Sequence, residues 1–173
     1  MKGRPMRRRF HSRSGQAVPE FALLYAGVVL PLTFMLIVIA QMLWIWHSVV
    51  DFTRQGASYA ATHCFVGDGS NVVSWMESNV PAMIDQNQFQ NGAAGIQVQY
   101  YSQNPDGTLS QFAGCDATCS PACIPDAVSV SIANYQYLRF SSYFQLPPVT
   151  IPPFTTTIPM ESAGCDESGN CVQ

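Results

Sequence analysis

From Phe21 to Trp46 the chain runs for 26 residues without a charged side chain. No other feature restricts its possible folds as strongly. As an α-helix the run would span about 39 Å at 1.5 Å per residue, and a bilayer core needs only about 20 residues. The reading is therefore a single membrane-crossing helix with some tilt. Basic residues flank it on the N-terminal side only: Lys2, Arg4, Arg7, Arg8, Arg9 and Arg13. The positive-inside rule puts that end in the cytoplasm and the rest of the chain outside. Trp44, Trp46 and His47 fall where an aromatic belt would meet the far interface. Pro31 lies inside the run, and membrane helices tolerate the resulting kink better than soluble ones.

Three other readings compete. A cleaved secretory signal has an apolar core of about 7–15 residues, shorter than this one, although "VIA" at 38–40 mimics a cleavage site. That reading would release a secreted, disulfide-rich enzyme. A buried helix of a soluble domain is disfavoured because the run is apolar on every side. An ordinary uncleaved anchor explains the arginines and tryptophans. It gives no reason for Gly15, or for a carboxylate, Glu20, at the front edge of the run. A charge entering lipid costs roughly 2.5–3.5 kcal/mol on insertion scales, unless it snorkels to the interface.

Charge is scarce elsewhere too: 11% of residues are charged and 47% are hydrophobic, against about 25% charged in an average soluble domain. Beyond Gly15 only Arg54 and Arg139 are cationic, against eleven acids. The basic footprint of a nucleic-acid-binding body is missing. The basic tip alone could be a nucleic-acid or nuclear-import patch, but a long apolar run follows it directly.

The stretch "RSGQAVPEFALLYAGVVLPLTFMLIVI" at 13–39 resembles a type IV prepilin processing site, with a basic leader, a glycine, a cut, a glutamate as fifth mature residue and a long apolar helix. More narrowly it resembles the TadE/TadF-like minor pseudopilins of the tight-adherence (Flp-type) pilus machinery. Glu20, Phe21 and Ala22 match that pattern, as does the Leu30-Pro31 step. Pro19 departs from it, since an aliphatic residue is usual before the glutamate. The likeness covers about 30 residues and extends beyond them only as a general plan. It implies cleavage between Gly15 and Gln16 by a membrane aspartic prepilin peptidase, and residence in a bacterial inner membrane. It implies that other pilin subunits and the assembly machinery are the partners, with Glu20 and Phe21 serving subunit assembly. Glu20 would pair with the freed Gln16 amine of a neighbour.

The remaining chain reads as α+β. The expected organisation is a basic leader at 1–15, a transmembrane helix at 16–46, a helical stalk at 47–65 and an exported domain at 66–173. In the stalk, Gly56, Ala57, Ala60 and Ala61 would let another helix approach closely. "VGDGS" at 66–70 stops it. Short helices are expected at 70–79 and 81–88, the second because Pro81 suits a helix start, with Trp75, Met76, Val80, Met83 and Ile84 in the core. A small antiparallel sheet follows. "GIQVQYYSQ" alternates, "NPDG" at 104–107 turns, and "TLSQF" returns. "AVSVSIANYQYLRF" at 127–140 is the clearest strand, with Val128, Val130 and Ile132 on one face and Ser129 and Ser131 on the other. "LPPVTIPPF" at 146–154 is a stiff connector. "FTTTIPMES" is an edge strand, where Pro159 is tolerated.

Six cysteines, Cys64, Cys115, Cys119, Cys123, Cys165 and Cys171, all follow the apolar run. In an exported domain an even number points to disulfides, and six allow fifteen pairings. Cys165–Cys171 is the best local pair. One of the Cys115, Cys119, Cys123 group is expected to reach Cys64. The sharper reading of "CDATCSPAC" is a metal or iron–sulfur site. Its spacing is one residue too long for the radical-type cluster motif, and an oxidising compartment disfavours thiolate ligands. The chain holds no C-x-x-C redox pair.

Catalysis is not indicated. Of the three histidines, His11 lies in the leader and His47 at the membrane edge, leaving His63 beside Cys64. Asp106, Asp116 and Asp126 fall in turns, where Asp is a routine capping residue. No metal site, cofactor or nucleic-acid partner is expected. The reading is a structural subunit of a pilus or related secretion apparatus. The alternative is a stand-alone membrane-anchored binding domain, adhesin-like in character. The mature N-terminus separates the two.

Overall fold

The computed structural model describes residues 17–113, 115, 119–120, 122–137, 147–160, 164–165 and 171. The chain divides into two compact units, Met1–Gln41 and Met42–Gln173.

In the first unit, α1 (Ala17–Leu24) passes into a π-helical turn at Tyr25–Val29, and α2 (Leu30–Thr62) follows. The Leu30 N–H reaches back five residues to the Tyr25 carbonyl. This wide turn sits immediately before Pro31. A proline ring would press on the carbonyl four residues earlier, that of Gly27, and proline supplies no N–H to it. Widening the turn at that point is a recognised way for a helix to absorb the misfit. No residue from 18 to 44 is buried. Phe21, Leu23, Leu24, Met35 and Leu36 are all more than half exposed. The helical stretch Val18–Thr62 is long and apolar enough to cross a membrane. A helix apolar all round needs either a protein core or lipid about it, and among the described residues none forms a core around residues 18–40.

The second unit is α+β, as the patterning implies. Its helix is the part of α2 from Met42 onward. Ile45, Val49, Phe52, Thr53, Gly56 and Ala60 are buried at helical spacing and form one face. That face belongs to one core with Val72 and Met76 of α3 (Ser70–Ser78), Phe89 of α4 (Gln86–Gln90), and the sheet. Phe52 meets Phe89 edge-on at 6.0 Å. So residues 47–65 are not a stalk preceding the domain. They supply its central helix, which ends at Thr62. The small residues serve this packing: a Cβ on Gly56 would fall on the Met76 sulfur.

The main sheet has the order β2-β1-β3-β6, antiparallel throughout, from β1 (Gly95–Gln103), β2 (Leu109–Gln111), β3 (Ala127–Ala133) and β6 (Phe154–Pro159). Asn104–Gly107 turns the chain between β1 and β2, and Gly107 takes φ +83° there, which glycine adopts without a Cβ penalty. Val128, Val130 and Ile132 are fully or almost fully buried in the core. Register places Tyr100, Val98 and Ile96 beside them. Ser129 is buried too, between Gln99 and Thr157 in register, and its Oγ accepts a hydrogen bond from Thr157 at 3.3 Å. β6 is an edge strand, and Pro159 closes it.

Four expectations need correction. The helix expected at 81–88 begins at Gln86, because Asp85 is the stronger N-cap: its carboxylate accepts the Asn87 N–H at 3.1 Å. Pro81 instead opens a turn closed by the Ile84 N–H at 2.9 Å. Met83, in that turn, is 47% exposed rather than core. The strand expected at 127–140 stops at Ala133, since Asn134 turns left-handed at φ +61°. Beyond it, β4 (Gln136–Tyr137) pairs with β5 (Val149–Thr150), a short strand inside the proline-rich connector. Residues 138–146 and 161–163 lie outside the described residues.

Three disulfides close the unit. Cys64–Cys119 ties the end of α2 to the β2–β3 loop, Cys115–Cys123 lies within that loop, and Cys165–Cys171 forms the local C-terminal pair. The Cys119 N–H also donates to the Phe65 carbonyl at 3.1 Å.

Candidate functional site

The first turn of α1 reads Ala17-Val18-Pro19-Glu20. Its N–H groups have no helical acceptor, so Pro19 loses nothing there. Glu20 sits where an acid complements the positive end of the helix dipole. Its side chain is exposed, and among the described residues no hydrogen bond or ion pair reaches the carboxylate. Phe21 stacks on Tyr25 one turn on, with ring centroids 6.3 Å apart. Twenty residues from Phe21 reach Ala40, about 30 Å along a helix, which is the thickness of a bilayer's hydrocarbon core. Glu20 therefore borders the apolar band rather than lying within it. Gly15, Gln16 and the basic residues before them lie outside the described residues.

Among the described residues the catalytic candidates do not assemble. His63 stacks on Tyr59 at 3.7 Å between centroids, and Tyr59 stacks on Trp75. The His63 Nδ1 lies 3.0 Å from the Tyr59 carbonyl and 3.1 Å from the Thr62 hydroxyl. The ring is thus held by its own helix, and neighbouring Cys64 is in a disulfide. Asp106 accepts from the N–H and hydroxyl of Thr108, and these bonds lower its pKa. The backbone N–H and hydroxyl of Ser70 do the same for Asp68. Asp126 accepts the Gln103 N–H at 2.7 Å and so links the end of β1 to the start of β3. Asp116 lies outside the described residues. Among the described residues no group of three His, Cys, Asp or Glu side chains comes together as metal ligands. All three cysteines of "CDATCSPAC" are disulfide-bonded.

Among the described residues, two clefts of the second unit stand out. One, of about 280 Å³, is bounded by Ile45, the turn at 82–86 and residues 135–137. Gln88 closes its wall, exchanging two 2.8 Å hydrogen bonds with the backbone of Gln136. The other, of about 260 Å³, is lined by Phe65, Tyr100, Gln111 and Phe112 among others. Here the Tyr100 hydroxyl is buried and has no hydrogen-bond partner among the described residues. Burial, with the nearby Asp68 carboxylate, pushes its pKa up to about 12. Such a phenol stays protonated at neutral pH and is no base. Among the described residues, neither cleft brings a nucleophile and a base together. Sequence reasoning missed both: Tyr100 reads as one more alternating strand residue, and the Gln88–Gln136 pairing joins residues 48 apart.

Comparison of the chain with known protein families, curated proteins and solved structures finds no match in any of the three.

Proposed function

We propose that the protein is an assembly subunit of a tight-adherence type IV pilus or a related secretion apparatus, a minor pseudopilin processed by a prepilin peptidase. One observation carries the reading. An apolar helix unburied on every side opens with a carboxylate that has no partner among the described residues, five residues after a glycine. Such a carboxylate is well placed for a charge supplied in trans. Cleavage after Gly15 would free the Gln16 amine, and in a bundle of such helices the amine of one copy can pair with Glu20 of the next. The leader would remain cytoplasmic, and the disulfide-bonded unit would lie outside.

The reading separates insertion from assembly. In lipid, Glu20 can reach the headgroups, so insertion and cleavage do not need it. In a bundle, water is scarcer and an unpaired buried charge is expensive. Glu20→Ala should therefore insert and be cut at nearly the normal rate, yet fail to co-purify with pilus components. Glu20→Asp, one methylene shorter, should assemble partially. Terminal sequencing of the mature protein should find Gln16 first. Finding Met1 would favour the stand-alone anchored binding domain, and a start near Gln41 a secreted protein. Glu20→Ala assembling like the wild type would reduce the acid to a snorkelling residue.

A further inference from the structure

We infer that the base of the second unit, formed by the turn at 81–84 and the proline-rich segment 147–153, rests directly on the lipid surface beside the helix. The inference depends on the apolar helix lying in a bilayer, and not on the pilus reading. Burial along α2 begins at Ile45; Leu43 and Trp44 are 55% and 65% exposed. In sequence the apolar run precedes this point, so the Met42 end of the unit is the end that leaves the bilayer.

Two segments converge on the helix at the same height. Ile45 shares the first cleft with residues 82–86 and with Tyr135–Tyr137. Val149 lies opposite Tyr137 in the β4–β5 pair. One residue further along α2, the Trp46 ring meets Phe154 edge-on at 5.9 Å. Phe154 directly follows Pro152 and Pro153, which are exposed.

What these segments show to solvent is unusual for loops. "VPAMI" at 80–84 and "PPVTIPP" at 147–153 hold no charged residue. Met83 and Val149 are each 47% exposed, and Pro147, Pro148 and Ala82 are exposed beside them. Asp85, the nearest acid, is turned toward α4, where it caps the Asn87 N–H. With Leu43, Trp44 and Trp46 they extend the apolar surface of the helix sideways, level with its tryptophans. Tryptophan marks the headgroup layer. A rim that is apolar and uncharged among the described residues fits the boundary between headgroups and acyl chains.

The test uses the full chain in phosphatidylcholine vesicles whose lipids carry bromine near the top of the acyl chains. Trp44 and Trp46 are changed to Phe, and Trp75, stacked on Tyr59, stays as the internal reference. Into this background go Met83→Trp, Val149→Trp or, as a distal control, Leu109→Trp. Leu109 pairs with Gln103, seven residues along β1 from the Ile96 rung that aligns with Phe154, or about 23 Å at 3.3 Å per residue. The rings added at 83 and 149 should be quenched about twofold, as expected at the headgroup level, and the ring at 109 not at all. A chain keeping Trp44 but carrying Trp46→Phe reports insertion. If Trp44 is quenched while positions 83 and 149 behave like 109, the unit stands clear of the lipid, whether water or another protein covers its base, and the inference falls. If Trp44 itself is unquenched, the helix is not in lipid and the inference falls with that premise.

Discussion

Gly56 offers the sharpest test of the packing. It lies on the buried face of α2, and a Cβ there would clash with the sulfur of Met76, itself fully buried on α3. Two effects oppose each other in Gly56→Ala. Replacing a mid-helix glycine by alanine gains about 0.8–1.0 kcal/mol of helix propensity. Forcing an extra methyl into a filled core costs about 1–3 kcal/mol. The methionine is flexible, but its surroundings leave its end little room, so the steric cost should win and the variant should lose up to about 2 kcal/mol. Met76→Ala alone should cost about 2–5 kcal/mol. In that background the clash is gone, and Gly56→Ala should instead stabilise by about 1 kcal/mol. The sign reversal is the signature. It can be read by denaturant unfolding of the disulfide-intact chain in micelles, following Trp75 with Trp44 and Trp46 replaced by Phe. Gly56→Ala having the same effect in both backgrounds would refute the argument that Met76 occupies the space left by the missing Cβ.

The remaining predictions concern the bridges and the buried phenol. Cys64–Cys119 closes a separation of 55 residues and Cys165–Cys171 one of 6, so in the chain-entropy picture replacing both cysteines by Ser should cost about 4 kcal/mol for the first and about 2 for the second. Equal costs, measured by the same unfolding assay, would contradict that ordering. Tyr100 holds its proton to about 12 in the folded state against an ordinary 10.0. Below pH 10 both states are protonated and nothing changes; as pH rises from 10 to 12 the unfolded chain loses the proton first, so stability falls by about 2–3 kcal/mol. Tyr100→Phe should remove that part of the alkaline loss. It should be close to neutral at pH 7, because it deletes a buried hydroxyl that has no partner among the described residues.

What was legible in the sequence was whatever local chemistry decides. β1 and its turn can be read because alternation and an Asn-Pro-Asp-Gly turn act within a dozen residues. The Cys165–Cys171 pair follows from proximity. The choice of Cys119 for Cys64 was not legible, since it depends on where the β2–β3 loop is carried by the sheet. The break after Ala133 was hidden as well: Tyr135 and Tyr137 continue the alternation past it, and only the left-handed Asn134 diverts the chain. At α4, Pro81 suggests an earlier start, but the Asp85 side-chain cap fixes the start more firmly than a tolerated proline. Small residues such as Gly56 look alike in sequence whether they admit another helix or the chain's own Met76, so the packing of α2 within the unit is not legible there. Glu20 stood out in the sequence because of its apolar setting. The signal for the lipid-facing rim, by contrast, was an absence of charge in two loops far apart in sequence, and only the fold brings them level with Ile45 and Trp46.

Two unrelated signals bear on orientation, and they come from opposite ends of the chain. The six arginines and lysines before residue 14 favour a cytoplasmic N-terminus because translocating them is costly. The three disulfides beyond residue 63 favour an oxidising compartment for the second unit, because cytosolic reductants would keep such thiols reduced. The first is an electrostatic effect acting at insertion, the second a redox equilibrium acting afterwards, and neither follows from the other. In the opposite orientation the basic segment would have to cross the membrane, and the end of α2 would lose its covalent tie to the β2–β3 loop. With the second unit outside, that tie would hold the helix end at Cys64 against the loop, while at the other end Trp46 meets Phe154 and Ile45 borders the cleft it shares with the 82–86 turn. One of the two ends of the central helix is thus tied by a bridge that persists only in an oxidising compartment.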